Sequence, residues 1–463
     1  MGILWSEGVA APHSLTRRSI MARALTESIP QSTIPSQPTL NRKLRRWLAT
    51  ELRQLRSVVV KSAARCGAER YRKHFNSFGH ACLLIFHGLS GGQSLRQSYE
   101  AFAACPGLVE LASLAGSDDP EDERLSVSYS HFAASNTSRP AAFLGGVVNS
   151  LIARVRQYAR LPDVNLPQDL HILDSTFLRL SVLLAPWIKD TCNSHAPGMR
   201  FQVQYLPALD LPEHILITDT RTNDCQGLDQ AILDNPSRLA ELKDHTLVFD
   251  LGYYSHRRFA SLLSAGVHLV TRLNYQATVR VEDELPVQKA LPSVPDGRIT
   301  VLSDQRVTVG SPNNRAGAVL KGLRLVTARV EPLAKAARRG AKPVVYRILT
   351  DRWDIDAADV IQLYLWRWQI ELFFRWLKRY IHLSRPIGYS SNAVELTLWL
   401  AITVHLLSVL AARALGMGRR SPVLLRRMIW ALSHVSSSAH EGDATQAGQL
   451  CFSRSGTSPG LPP

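Results

Sequence analysis

The chain has only six cysteines among its 463 residues, and they are scattered, with no Cys-x-x-Cys pair and no histidine at metal-ligand spacing. A disulfide scaffold and a zinc site are therefore not expected. A chain of this length buries a large core without such cross-links. Unpaired thiols suit a reducing compartment, so we expect a cytoplasmic protein.

Long apolar runs are also nearly absent. One stretch, from Leu396 to Leu415, is apolar enough to be weighed as a membrane span, because about 20 such residues cross a bilayer. Thr397, Thr403 and His405 interrupt it, and the sequence offers no second span. We therefore expect a buried helix and no membrane partner.

Acidic residues are outnumbered by basic ones. The chain has 38 Asp and Glu against 54 Lys and Arg, a net charge of +16 and an isoelectric point near 9.9. This excess favours a polyanionic partner, since lysine and arginine neutralise phosphates and release their counterions. Nucleic acid is the first candidate, and a solvated basic surface is the alternative.

The two ends of the chain differ in composition from the rest. Residues 1–40 are rich in Ser, Pro and Thr and are predicted to form a disordered leader. Residues 416–463 are predicted to form a C-terminal helix followed by a disordered tail. From 41 to 156 the pattern is helical, with basic residues crowded into the first helices, which makes this region a candidate for docking DNA.

The middle of the chain is typical of an α/β domain. In residues 160–274 and 344–415, short strand-like runs alternate with helical stretches. Residues 275–343 break this alternation with several strand-like pieces and a turn cluster. We predict one α/β domain that is interrupted by a β-rich insertion.

Two strand-like runs in this domain end in an acidic residue. In LHILDST, strand alternation places Asp174 on the same face as Leu170 and Ile172. Asp250 ends the run TLVFD in the same way. A carboxylate at the end of a buried strand is costly unless it is paired or binds a metal, so both are candidate site residues. The alternative is that each one caps the following helix.

A third candidate acid lies on the helix that is predicted over Asp356–Tyr380. Four polar side chains follow helical spacing there, beside the core-facing apolar stripe: Tyr364, Arg367, Glu371 and Lys378. A simpler interpretation is that Glu371 pairs with Arg367 or Arg375 at helical spacing.

The spacing of these four residues, Tyr364-x2-Arg367-x3-Glu371-x6-Lys378, resembles the Tyr-Arg-Glu-Lys signature of the insertion-sequence-four family of DDE transposases. The runs LHILDST and LVFDLGYYSHRRF look like that family's first and second Asp motifs. The flanking runs TRLN and ILTDRWD are also similar. The resemblance extends over about residues 70–410.

The resemblance implies an α/β, RNase H-like fold: a mixed sheet flanked by helices, with a β-rich insertion and a helical N-terminal domain. It implies that Asp174, Asp250 and Glu371 are catalytic and bind two divalent metal ions, Mg (or Mn), about 3.5–4 Å apart. Carboxylate ligands suit these hard ions better than zinc.

The resemblance also implies that Tyr364, Arg367 and Lys378 are DNA-binding residues that grip phosphates. The implied activity is that of a bacterial transposase, which nicks transposon ends and transfers the 3′-hydroxyl into target DNA. Its implied partners are the transposon terminal repeats, the target DNA and a second copy of the chain, as a homodimer in the DNA complex.

A serine hydrolase is one competing interpretation. The segment GLSGG around Ser90 matches the G-x-S-x-G motif, with an apolar run before it and a helical pattern after it. Basic helical sequence rather than several strands precedes the motif, which favours a turn between two helices.

A catalytically inactive, DNA-binding transposase remnant is the other alternative, because proteins of mobile elements often decay. The three acids and the Tyr-Arg-Glu-Lys spacing are intact, which favours activity. Asp219 and Asp224 also follow a strand-like run and could replace the second Asp, but we expect them in a loop near the site.

Overall fold

The structure, a computed structural model, describes residues 37–69, 75–91, 93–115, 125–157, 166–167, 169–190, 198–287, 299–311, 318–332, 337–338, 340–417 and 420–435. The disordered leader predicted over 1–40 lies outside this part, except for residues 37–40, which already belong to the first helix. The predicted tail after residue 435 also lies outside the described residues.

Helices make up the N-terminal part of the described chain. They are Gln37–Arg65 (α1), Ser77–Leu89 (α2), Leu95–Ala103 (α3), Pro106–Leu111 (α4), Tyr129–Ser138 (α5) and Ala142–Arg156 (α6). Side-chain caps set several of their starts: Asn76, Ser94 and Ser128 each accept a hydrogen bond from a backbone N–H of the first turn.

The first helix is amphipathic. Its buried side chains include Leu44, Leu48 and Leu52, and the helix packs against α6. Its single acid, Glu51, is buried and pairs with Arg154 of α6. The outer face therefore presents basic side chains to solvent, with no acid of the same helix between them.

The remaining helices follow or interrupt the strands. They are Asp224–Leu228 (α7), Pro236–Glu241 (α8), His256–Ser264 (α9), Ala357–Trp366 (α10), Trp368–Tyr380 (α11), Ser391–Ala414 (α12) and Pro422–Ser433 (α13). Helix α12 is long and apolar enough to cross a membrane, but 89% of its most apolar stretch is buried in the protein. It packs against α2, α5 and α6, as expected for a buried core helix.

The described residues form one sheet of nine strands. They are Leu170–Arg179 (β1), Gly198–Leu206 (β2), Leu211–Asp219 (β3), Thr246–Phe249 (β4), His268–Arg272 (β5), Val279–Glu284 (β6), Ile299–Val309 (β7), Leu320–Val330 (β8) and Val344–Thr350 (β9).

The strand order is β3-β2-β1-β4-β5-β9-β8-β7-β6. Strand β1 pairs antiparallel with β2 and parallel with β4, β4 and β5 are parallel, and the pairs beyond β5 are antiparallel. The predicted mixed sheet flanked by helices is confirmed. Three of its strands, β6 to β8, come from residues 275–343 and extend the sheet beyond β9.

Apolar clusters on both faces explain why the central strands are buried. Ile172 and Val248 belong to the cluster shared with the N-terminal helices and α10 to α13. Leu173 and Phe249 belong to the opposite cluster, shared with α7 and α9. All four residues of β4 are buried, as expected for a parallel strand covered on both sides.

The prediction of one continuous helix over 356–380 is wrong at a single position. Helix α10 ends at Trp366 and α11 begins at Trp368, with Arg367 between them. The N–H of Arg367 donates to the carbonyl of Tyr364, and the N–H of Ile370 donates to that of Arg367. These i→i−3 bonds tighten the chain locally. Arg367 keeps helical dihedral angles, so the residues before and after it stay on related faces.

Candidate active site

The sheet register brings the two strand acids together. Parallel strands β1 and β4 pair Leu170 with Thr246 and Ile172 with Val248. Asp174 and Asp250 each lie two residues beyond the last of these pairs, so they emerge side by side from neighbouring strands. Sequence alternation predicts which face they share, and the register adds that they are neighbours.

Helix α11 packs against β1 and adds the third acid. Glu371 accepts a hydrogen bond from Nη2 of Arg367 at 2.5 Å, and Nη1 of Arg367 donates to Oδ2 of Asp174 at 2.9 Å. The same Nη2 lies 3.7 Å from Oδ2 of Asp250. One guanidinium thus lies between all three predicted acids.

Each aspartate is also held by a second contact. Oδ1 of Asp174 accepts from the backbone N–H of Ser175, and Oδ1 of Asp250 accepts from that of Leu251, both at 2.8 Å. The hydroxyl of Tyr364 donates to Oδ1 of Asp250 at 3.0 Å. The capping alternative therefore holds for one oxygen of Asp250, which caps a short 3-10 turn, while its other oxygen faces Arg367.

The pKa values of the two aspartates are shifted in opposite directions. Burial raises the pKa of Asp174 to about 6, against the opposing charge of Arg367. Burial also works against the ionised form of Asp250, but Arg367 and the hydrogen bonds described above outweigh it and lower its pKa. The negative neighbours in turn raise the pKa of Arg367, although burial opposes them. Arg367 is therefore always charged.

An open cleft of about 440 Å³ lies beside this cluster. It is lined by Asp174, Ser175, Glu371, Phe374, Arg375, Lys378 and Arg379. Lys378, predicted to bind phosphate, therefore faces the same space as two of the acids, and its burial lowers its pKa. Arg375 and Arg379 were not predicted as site residues. They follow Glu371 by four and eight residues on the same helix, and this spacing is the sequence signal that would have placed them on the same face as Glu371.

A second polar cluster, centred on Asp224, contacts the residues next to the two strand acids. Asp224 accepts hydrogen bonds from Oγ of Ser175 at 2.8 Å and from Nη1 of Arg200 at 2.6 Å. A Cβ atom on Gly252 would lie 2.5 Å from Oδ2 of Asp224, so any other residue there would require Asp224 to shift. Asp224 therefore contacts the neighbours of both acids. Asp219 instead accepts from the N–H groups of its own loop.

The donor chemistry at the cluster fits a hard divalent ion, since three carboxylates converge on one point. Among the described residues, however, no group of three or more Asp, Glu, His or Cys side chains stands as a ready-made metal site. The guanidinium of Arg367 lies where the three carboxylates face one another. A metal ion and Arg367 would therefore compete for the same oxygens.

Ser90 is not part of a hydrolase elbow. It caps the C-terminal end of α2 and lies between two helices, whereas the motif requires a strand, a turn and a helix. Its hydroxyl donates to the carbonyl of His87, and the ring of His87 bonds to Ser98. The serine-hydrolase interpretation is therefore wrong.

The fold and the arrangement of acids define a class of protein. A mixed sheet that carries acids on two central strands, with a third acid on the helix above them, is the architecture of an RNase H-like enzyme. Comparison with known proteins narrows this class. The sequence profile described as "Transposase DDE domain" matches residues 166–407. The chain therefore belongs to the DDE transposases. It is an insertion-sequence DNA transposase, which is a nuclease and strand transferase.

Two relatives are named as transposases. The putative transposase y4zB of Sinorhizobium fredii is 27% identical over 281 residues, which cover 61% of this chain and 70% of the relative. The probable transposase for insertion sequence element IS5377 of Geobacillus stearothermophilus is 24% identical over 241 residues, covering 52% and 56%. The chain thus spans little more than half the length of the second relative.

Among solved structures, a cryo-EM structure of the piggyBac transposase synaptic complex with hairpin DNA is similar, with a TM-score of 0.41 and 11% identity. The likeness covers 88% of this chain and 82% of that chain. It is too distant to add to the assignment.

Proposed function

We propose that Asp174, Asp250 and Glu371 are the catalytic carboxylates of this transposase, and that it is a member of the insertion-sequence-four family. The observation that carries the proposal is their convergence on one guanidinium, within 3.7 Å, from two strands and a helix. Acids that only face solvent at the surface would not be expected to share one buried cation.

The three carboxylates would hold two divalent ions, magnesium or manganese. Such ions, when bound, activate a water or 3′-hydroxyl nucleophile and stabilise the leaving oxygen. The chain itself orients the ligands. The N–H of Ser175 and the N–H of Leu251 each fix one carboxylate oxygen, which leaves the other oxygen of each aspartate to face Glu371 across the guanidinium.

Tyr364, Arg367 and Lys378 are the proposed phosphate contacts, in keeping with the Tyr-Arg-Glu-Lys signature. Lys378 lines the cleft together with Arg375 and Arg379, so the cleft carries positive charge beside the acids. A DNA backbone in this cleft would bring a scissile phosphate against Asp174 and Glu371. The fork of an arginine and the point charge of a lysine are both suited to phosphate oxygens.

The N-terminal helices are proposed to dock the DNA outside the cleft. The exposed basic side chains of α1 are Arg42, Lys43, Arg46, Arg53, Arg56, Lys61 and Arg65. Because Glu51 is buried against Arg154, no acid of α1 weakens this surface. The substrates would be the transposon terminal repeats and target DNA, bridged by a homodimer in the bacterial cytoplasm.

Cleavage of a duplex that carries the element's own ends, in magnesium, tests the catalytic proposal. Glu371→Gln keeps the shape of the side chain but removes its charge. We expect nicking to fall on the order of a thousand-fold or more, while binding to the duplex is retained because the basic residues are untouched.

The matched control is Glu100→Gln, which removes an exposed acid that pairs with Arg96 on α3. It should nick like the wild type. Equal nicking by wild type and Glu371→Gln would refute the catalytic role of Glu371. A wild-type protein that binds the ends but nicks none would instead favour the inactive remnant.

A further inference from the structure

Arg367 has an unusual position for a phosphate contact. Its side chain is only 6% exposed, and both terminal nitrogens point at carboxylates rather than at the cleft. The carboxylates themselves are more accessible, with exposed fractions of 21% for Asp174, 33% for Asp250 and 24% for Glu371. The arginine is therefore the buried centre of the cluster, and the acids form its outer shell.

Three carboxylates share one arginine at this centre. One guanidinium faces three carboxylates, and its contact with Asp250 is 3.7 Å, beyond hydrogen-bond length. Elsewhere in the chain, Arg258 pairs with a single carboxylate, that of Asp229. Carboxylate oxygens are the ligands that hard divalent cations prefer, so a cation at this centre would compete with the guanidinium for them.

The backbone at Arg367 also differs from that of an ordinary helix position. Arg367 lies at the junction of α10 and α11, where i→i−3 bonds replace the regular ladder. Its side chain reaches Asp174 and Glu371, which both line the cleft. A phosphate in that cleft would thus lie near the guanidinium and offer it an alternative anionic partner.

We propose that Arg367 is a displaceable internal cation. Without DNA it holds the three carboxylates together and competes with divalent cations for their oxygens. A DNA phosphate in the cleft attracts the guanidinium, and the carboxylates become free to bind metal. Metal and DNA therefore bind cooperatively, and the nuclease binds metal more weakly in the absence of its substrate. This inference rests on the proposed function of the three acids.

The test is binding of Mn²⁺ to the full-length protein, followed by electron paramagnetic resonance, with and without a short DNA duplex of arbitrary sequence. The wild type is expected to bind Mn²⁺ about ten-fold more tightly when the duplex is present, within the usual range of coupling between sites. By linkage, Mn²⁺ should tighten duplex binding by the same factor.

The variant Arg367→Gln removes the competing charge while keeping hydrogen-bonding capacity. It should bind Mn²⁺ about ten-fold more tightly than the wild type without DNA, and the duplex should add little further, since the competitor is gone. Arg258→Gln is the matched control, because it removes a partly buried arginine that pairs with a different carboxylate, that of Asp229. Its Mn²⁺ affinity should equal that of the wild type.

Two outcomes overturn the inference. One is a wild-type affinity for Mn²⁺ that does not change with the duplex, a result that requires no variant to fold. The other is a folded Arg367→Gln protein, checked by circular dichroism, that binds Mn²⁺ no more tightly than the wild type. Glu371→Gln separates these results from a failure of the proposed function: if it leaves Mn²⁺ binding intact, the acids are not the metal site at all.

Discussion

Gly252 shows how closely the residues behind the site are packed. It lies two positions after Asp250, against the carboxylate of Asp224, which Ser175 and Arg200 hold in place. A methyl group at this position would push on Asp224, whose other contacts leave it little freedom to move. Asp224 and Gly252 thus position the two strand acids without touching the guanidinium of Arg367.

Gly252→Ala is expected to destabilise the protein by about 1–3 kcal/mol, the usual cost of overpacking, and to reduce nicking because the turn after Asp250 shifts. Urea unfolding measures the first effect and the duplex assay the second. In an Asp224→Ala background the added methyl has room, so Gly252→Ala should cost much less there. An equal cost in both backgrounds would mean that the clash is not with Asp224.

At the same scale, the sequence predicts the face of its own strand or helix on which each candidate acid lies, but it does not predict how the acids meet. Strand alternation and helical spacing identified Asp174, Asp250 and Glu371, because each pattern fixes the face of its own element. Neither pattern fixes the distance between elements, so the contacts that Arg367 makes with all three acids could not be predicted. The simple pairing of Glu371 with Arg367 is present, as one part of a larger cluster.

At the scale of elements, Glu213 on β3 connects secondary structures that are remote in sequence. It pairs with Arg156 at the end of α6 and with Arg238 of α8, each at 2.7 Å, and lies 3.3 Å from His171 of β1. Burial alone would raise the pKa of Glu213, yet a hydrogen bond from His171 and the charges of the two arginines lower it from 4.5 to about 2. Its ionised form therefore stabilises the fold.

This shift predicts a pH dependence of stability. Because the pKa of Glu213 is lower in the folded protein, its contribution is complete above the unfolded value of 4.5 and is lost as the pH falls towards about 2. Glu213→Gln should cost about 3 kcal/mol near neutral pH. In urea unfolding at a series of pH values, the difference between wild type and variant should shrink below about pH 5. A difference that stays constant would show that the charge of Glu213 is not the source.

The sequence predicts one continuous helix over residues 356–380, whereas the structure has two helices with Arg367 between them. Nothing in the composition of residues 356–380 marks Arg367 as a break, since neither glycine nor proline lies near it. The break coincides instead with the residue that three carboxylates attract, so tertiary contacts override the local preference for a regular helix. The motif around Ser90 suggests a hydrolase elbow that is not there, because a short sequence pattern carries no information on whether a strand precedes it.

At the scale of the whole molecule, the two faces of the sheet have different roles. The face that packs against the N-terminal helices also carries α11 and Glu371, whereas α7 and α9 cover the opposite face. The basic surface of α1 is thus on the same side of the sheet as the candidate active site. Alternating strand-like and helical runs predict an α/β domain, and the resemblance to a known family implies a mixed sheet. The extension of that sheet by β6 to β8 depends on non-local pairing that no local pattern encodes.

If α1 contacts the DNA backbone, the affinity for DNA must depend on salt through its basic residues. Replacing Arg53, Arg56 and Lys61 together by glutamine should reduce the slope of log affinity against log salt concentration by about 3, since each phosphate contact contributes about one unit. Fluorescence anisotropy of a labelled duplex at several salt concentrations gives this slope.

The control pair Lys243→Gln and Arg257→Gln changes exposed basic residues on the opposite face of the sheet and should leave the slope unchanged. An unaltered slope in the α1 variant would remove that helix from the DNA-binding surface and leave the cleft residues Arg375, Lys378 and Arg379 as the source of phosphate affinity.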